Sequence, residues 1–142
     1  MKKDSILLNE GVLNRIREHA AIMYPDEACG ILLSTAEDER ITGVYFSENN
    51  AEKAIRRERF DIDPLTLYEL EKKAGEEGFN ITGYFHSHPD HMAVPSGEDI
   101  RYMIPGVFYM IVPVAGGECG ESRGYRRDTA DGEIYEIKIK ID

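Results

Sequence analysis

The sequence predicts a mixed α/β domain of the α+β kind, with a twisted mixed β-sheet flanked by two or three helices, spanning residues 1–142. Three observations carry this. The chain has 142 residues with 42% hydrophobic and 31% charged content, enough for one core and too short for two. Two stretches, one around Val12 to Met23 and one around Leu67 to Ala74, place apolar residues at helical spacing. Around them lie short apolar or alternating runs bounded by Asn, Gly and Pro, about six or seven strands in all.

In chain order, Ile6 to Leu8 reads as a short strand. Val12, Leu13, Ile16, Ala20 and Met23 form the inner stripe of a helix that Pro25 ends, because proline offers no N–H and clashes with the preceding turn. Ala28 to Ser34 is a buried strand, and Ile41 to Phe46 another, closed by the Asn49-Asn50 turn signal. Arg59 to Ile62 runs as a strand into a helix with Asp63 as N-cap and Pro64 at its first position. Leu67, Leu70 and Ala74 give that helix its inner face, and Gly75 and Gly78 loosen its end. Ile81 to His88 is a strand, followed by a loop rich in Pro, Asp and His. Ser96 opens a short helix through Met103. Val107 to Val114 is apolar on both faces, as a central strand must be, and Gly116, Gly117 and Gly120 make a turn. Finally Tyr135, Ile137, Ile139 and Ile141 alternate with Glu136, Lys138 and Lys140, a strand with one wet face.

Composition excludes several classes. A net charge of −10 repels nucleic acid at long range. The Arg56-Arg57-Glu58-Arg59 stretch reads as a solvated turn or strand edge. The longest purely apolar run, Val107 to Val112, falls far short of the roughly 20 residues a membrane helix needs. The first ten residues lack a signal peptide's apolar stretch. Cys29 and Cys119 are too few for a disulfide framework, so a reducing, cytoplasmic setting is expected.

The chemistry concentrates in His86-Ser87-His88-Pro89 and Ser96-Gly97-Glu98-Asp99. Side chains at i and i+2 of a strand leave the same face, so His86 and His88 can present two imidazoles to one ion. Asp99, one turn into the short helix, supplies a carboxylate. Two His and one carboxylate leave a fourth zinc position for water, the arrangement of catalytic rather than closed structural sites. Such a water needs a base to take its proton and pass it to a leaving amine. Glu27, at the mouth of the apolar Ala28 strand, is the candidate, and burial there would raise its pKa toward the working range.

Glu27, then His86-Ser87-His88, then seven residues from Pro89 to Pro95, then Ser96-x-x-Asp99, resembles the motif of the JAMM/MPN+ (JAB domain) metallopeptidases at every position. The resemblance extends over nearly the whole chain and implies an MPN/JAB-like fold. It implies one zinc ion per chain on His86, His88 and Asp99, Glu27 as general base, and Ser96 as donor to the developing oxyanion. It further implies a peptidase or isopeptidase acting at the C-terminus of a ubiquitin-like or sulfur-carrier protein. This compact chain is most similar to the stand-alone prokaryotic branch, some of whose members release an amino acid from a sulfur carrier.

Plainer readings stand beside these. Ser96-x-x-Asp99 is also an ordinary capping box, and both roles can hold together. Glu27 taken alone is an exposed strand-end acid. His19 reads as a surface histidine, Cys29 as a core thiol, and Tyr102, Phe108 and Tyr109 as packing. His86-x-His88-x-Asp90-His91 matches the run of metallo-β-lactamase-like hydrolases, but no histidine follows His91 to complete that ligand set, leaving Asp90 and His91 as loop residues within reach of substrate. Zinc deaminases need an H-x-E and a P-C-x-x-C pair that the chain lacks. The alternative within the family is a non-catalytic MPN-type scaffold that binds a ubiquitin-like partner. Oligomeric state is not legible, and specificity is expected in the loops at Asn49 to Arg59 and Asp90 to Pro95.

Overall fold

The computed structural model describes residues 5–35, 40–51 and 62–142. Their elements run β1 (Ser5–Leu8), α1 (Glu10–Met23), β2 (Cys29–Thr35), β3 (Ile41–Ser47), α2 (Pro64–Glu76), β4 (Phe79–Pro89), α3 (Gly97–Tyr102), β5 (Phe108–Ala115), β6 (Glu118–Cys119), β7 (Arg123–Arg126) and β8 (Tyr135–Ile141). The strand expected from Arg59 and the basic stretch at Arg56 to Arg59 lie outside the described residues.

α1 starts one residue after Asn9, whose Oδ1 accepts from the Val12 N–H at 3.1 Å, satisfying one of the donors a helix start leaves open. Val12, Ile16 and Ala20 are its buried stripe. α2 has the expected Asp63 cap, accepting from the Thr66 N–H at 3.2 Å, with Pro64 at its first position. α3 opens with a full capping box between Ser96 and Asp99.

The sheet is mixed, as expected, but among the described residues it has eight strands and it closes. Strands pair in the order β4-β2-β3-β1-β8-β7-β5-β6, and β4 also pairs with β5. Every strand except β6 therefore belongs to a hydrogen-bonded circuit, and β6 attaches to β5 by a hairpin through Gly116 and Gly117, both at positive φ. β4–β5, β1–β3 and β1–β8 are parallel, and the other pairs antiparallel. The strands unexpected from the sequence are β6 and β7.

Alternation sorts the β4, β5 and β7 residues between two faces. Phe85, Phe108, Met110, Val112 and Val114 point inward to the main core, where they meet Val12, Ile16 and Ala20 of α1. Burying a side chain such as Phe85 or Phe108 contributes about 1.5–3 kcal/mol. Opposite faces bear two smaller clusters. Leu67, Leu70 and Ala74 of α2 pack with Ile31, Leu33 and Tyr84, as the helical stripe predicts. Ala93 and Met103, flanking α3, pack with Ile111 and Tyr125. Between α2 and α3, the outer face of β4, β5 and β7 forms the floor of a cavity.

At Gly83 of β4 a Cβ would lie 1.8 Å from the Phe108 carbonyl oxygen, so only glycine lets β4 and β5 approach here. No helix among the described residues is long and apolar enough to cross a membrane.

Candidate metal centre

The β2–β4 ladder brings the distant residues together. Cys29 is opposite His86, and the Ser87 N–H donates to the Ala28 carbonyl at 2.9 Å one step further on. Glu27, one residue before this junction, comes beside both histidines. Ser87, which separates the two histidines along β4, accepts the Ala28 N–H on its Oγ at 2.8 Å. This buried bond pins the start of β2 to β4. From behind, the Asn49 Nδ2 donates to the Glu27 carbonyl at 3.0 Å, while its Oδ1 accepts from the Ala51 N–H. The residue read as a turn signal is thus also a tether for Glu27.

Three atoms converge. His86 Nε2 and His88 Nε2 are 3.1 Å apart, and Asp99 Oδ2 lies 3.1 Å from the first and 3.0 Å from the second. Glu27 is 4% exposed, and its carboxylate lies within 4.8 Å of a ring nitrogen of each histidine. His88 Nδ1 faces the Met92 carbonyl at 2.8 Å. A carbonyl only accepts, so Nδ1 carries a proton and donates it there, which turns Nε2 into the site.

Electrostatics agree with an ion-binding set. Burial alone would raise the Asp99 carboxyl, but hydrogen bonds from His86 and His88, the charge of His86 and the Ser96 N–H hold it well below the usual carboxylate range. Burial lowers the His86 imidazole, against the raising influence of Asp99. Two imidazole nitrogens and a carboxylate oxygen thus meet at one point. Ligand atoms bound to zinc at about 2.0–2.1 Å in tetrahedral array lie about 3.3 Å apart. The observed separations of 3.0–3.1 Å fit such an ion. The shortest mutual separations are those of His86, His88 and Asp99, and Glu27 forms a second, wider group with the same two histidines. Together these four side chains can hold a divalent metal ion.

The centre opens into a cavity of about 520 Å³ whose lining includes Glu27, His86 and Asp99. Its floor is Tyr84, Tyr109, Ile111 and Tyr125, and Leu67 and Tyr102 stand on its sides. Tyr109, read from sequence as packing, thus borders the site. Ser96 stands in the chain between Pro95 and Glu98, which line the cavity. Its Oγ accepts the Asp99 N–H at 3.0 Å, and the Ser96 N–H donates to Asp99 Oδ2 at 2.9 Å. Asp90, at φ 60°, accepts from the Tyr24 hydroxyl at 2.9 and 2.8 Å, which ties the loop after β4 to the end of α1. His91 is exposed, and Cys29 is a buried thiol of the sheet, as its apolar strand implies.

The sequence model of the prokaryotic homologs of the JAB domain (Prok-JAB) matches residues 9–128, most of the chain. The chain belongs to this family. It is similar to a desampylase of Haloferax volcanii, 31% identical over 103 residues, covering 72% of this chain and 73% of the relative. A CysO-cysteine peptidase of Mycobacterium tuberculosis is 27% identical over 138 residues, covering 96% of this chain and 90% of the relative. Among solved structures, a Desulfitobacterium hafniense protein superposes with a TM-score of 0.81 at 28% identity, covering 96% of this chain and 92% of that one. The JAB-type fold implied by the motif is therefore the fold observed. Motif and family span coincide, since Glu27, His86, His88, Ser96 and Asp99 all fall within the matched residues.

Proposed function

We propose that this chain is a zinc-dependent peptidase that hydrolyses an amide bond at the C-terminus of a ubiquitin-like or sulfur-carrier protein. The observation that carries the reading is the convergence of His86 Nε2, His88 Nε2 and Asp99 Oδ2 to within 3.0–3.1 Å, with the Glu27 carboxylate alongside in the same cavity. Similarity to relatives named desampylase and CysO-cysteine peptidase supports both the reaction and the substrate class.

In this reading His86, His88 and Asp99 hold the ion, one per chain. Zinc, when bound, supplies a Lewis acid that polarises a carbonyl and makes water acidic near neutral pH. Glu27 takes the proton of the attacking water and returns it to the leaving amine. Glu27 is buried, and the Asn49 bond to its carbonyl fixes its backbone beside the histidines for both transfers. Ser96 receives the Asp99 N–H on a lone pair, so its own O–H proton remains to donate to a carbonyl oxygen gaining negative charge. Neither cysteine forms a disulfide, which supports a cytoplasmic location.

The test uses a ubiquitin-like carrier bearing a C-terminal amino acid or a lysine-linked adduct, followed by mass spectrometry with and without chelator. Wild-type chain is expected to release the adduct, stop with chelator and recover with zinc. Glu27→Gln is expected to retain metal while turnover falls by about 10²–10⁴. A metal-loaded wild type that cuts neither conjugate would point to the scaffold alternative, and full activity in Glu27→Gln would remove the glutamate from the mechanism.

A further inference from the structure

α3 carries Ser96 at its cap and Asp99 in its first turn, yet none of its six residues is buried. So short a helix does not hold its shape on backbone bonds alone, because nucleation costs more than one or two turns return. Its place is set by what ties its flanks to the sheet.

Two tyrosines do this. Tyr109 of β5 and Tyr125 of β7 are direct partners in the antiparallel register, so their side chains rise from the same face of the sheet. Their hydroxyls diverge to opposite ends of α3. The Tyr125 O–H donates to the Ala93 carbonyl at 2.5 Å, ahead of the helix. The Tyr109 hydroxyl accepts the Ile104 N–H at 2.9 Å, just past its end. Ala93 and Met103 close over Tyr125 and Ile111, with Tyr109 packed alongside. The N-terminal tie reaches the metal centre by a second route, since Ala93 follows Met92, whose carbonyl fixes the His88 ring.

We propose that Tyr109 and Tyr125 are a pair of positioning residues for the metal centre. Their hydroxyls clamp α3 at both flanks, hold Asp99 Oδ2 against the imidazoles, and thereby set the affinity for the ion. This rests on the reading of His86, His88 and Asp99 as the ligands. Loss of a hydroxyl leaves the capping box intact but frees one flank of the segment, so the carboxylate no longer arrives prearranged. Groups that orient metal ligands typically account for about 10–100-fold in affinity.

The experiment measures zinc affinity of the full chain by competition with a chromophoric chelator, for wild type, Tyr109→Phe, Tyr125→Phe and the double variant. It is run where circular dichroism shows every variant fully folded, so that a change in global stability alone leaves the measured affinity unmoved. Each single variant is expected to bind about 10-fold more weakly, and the double variant more weakly still. The cobalt-substituted variants are expected to show altered visible absorption bands, reporting a displaced carboxylate. Tyr45→Phe is the control. It loses a comparable bond, from its hydroxyl on β3 to Glu77 Oε1 at the end of α2 at 3.0 Å, and is expected to bind zinc as wild type does. If Tyr125→Phe fails to fold, Tyr109→Phe, whose bond is exposed, carries the test alone. Single variants within twofold of wild type overturn the clamp and leave the ligand assignment standing. A wild-type chain that takes up no zinc overturns both.

Discussion

His86 and His88 ride on β4, which is hydrogen-bonded to β2 on one side and to β5 on the other, from Gly83 through to Pro89 on the β5 side. Asp99 rides on α3, which has no ladder neighbour and no buried residue. The first two ligands are therefore placed by the whole fold, since moving them means breaking the centre of the sheet. The third is placed by a few discrete bonds, namely the capping box, two tyrosine hydroxyls, and the Arg127 guanidinium on the Ile100 carbonyl at 3.3 Å. The same centre thus combines a part that fails only with the molecule and a part that can be altered alone.

The largest effect expected from this contrast comes from paired glycine substitutions. Gly83→Ala forces a methyl group onto the Phe108 backbone, where 1.8 Å is available, and is expected to cost at least about 3 kcal/mol or to prevent folding. Gly97→Ala, with nothing within 4 Å of the added carbon, is expected to stay within about 1 kcal/mol of wild type, on the stabilising side. Urea denaturation of both variants checks this, and equal losses would erase the distinction between the two regions.

Ser96 sharpens it further. Ser96→Ala is expected to lose about 1 kcal/mol of stability through the cap and about 10²–10³ in turnover through the missing donor. Ser96→Gly restores most of the cap, a glycine costing only a few tenths of a kcal/mol there, without restoring the hydroxyl. Comparing kcat and melting temperature across the two separates the roles. If turnover follows the cap instead, Ser96 acts only by holding α3.

The smallest effect belongs to the rigid region. His19 of α1 stacks on Phe46 of β3, ring centroids 4.3 Å apart, and burial lowers its pKa below 6.5. As pH falls through 6.5 the unfolded chain takes up this proton before the folded chain does. The contribution of His19 is therefore complete above 6.5 and is lost as pH drops toward the lowered folded value. His19→Phe keeps a stacked ring without the titration. Its melting temperature is expected to fall less than that of wild type between pH 7 and pH 5.5, with zinc affinity at neutral pH unaltered.

How far the residues alone disclose the molecule depends on how local each signal is. The paired histidines and the Ser96-x-x-Asp99 cap are short-range patterns, fixed by strand and helix periodicity, and both are legible in the sequence. The α2 start at Asp63-Pro64 and its Leu67, Leu70 and Ala74 face are legible for the same reason. β7 escapes because Arg123-Gly124-Tyr125-Arg126 shows no apolar alternation. Its inner position is glycine since the Phe108 ring fills that space, 2.4 Å from where a Cβ would stand. The parts played by Asn49, Ser87, Tyr109 and Tyr125 escape because each depends on a partner fixed by strand register. A tyrosine hydroxyl reads as packing until the carbonyl it meets is known. Glu27 stands between these cases, an ordinary acid alone and visible only as a member of the five-residue motif.

The closed circuit has a consequence for colloidal behaviour. Strands such as β2, apolar on both faces and free of proline, are the kind that recruit further chains edge to edge when exposed. Here β2 is covered on both sides by β3 and β4, and β5 by β4, β6 and β7, while the net charge of −10 keeps copies apart. Among the described residues the thinnest seam is the parallel junction of β1 with β3, formed by the register pair Leu8 and Ile41. Aggregation under stress is expected to begin by parting there, where two strand edges become available at once.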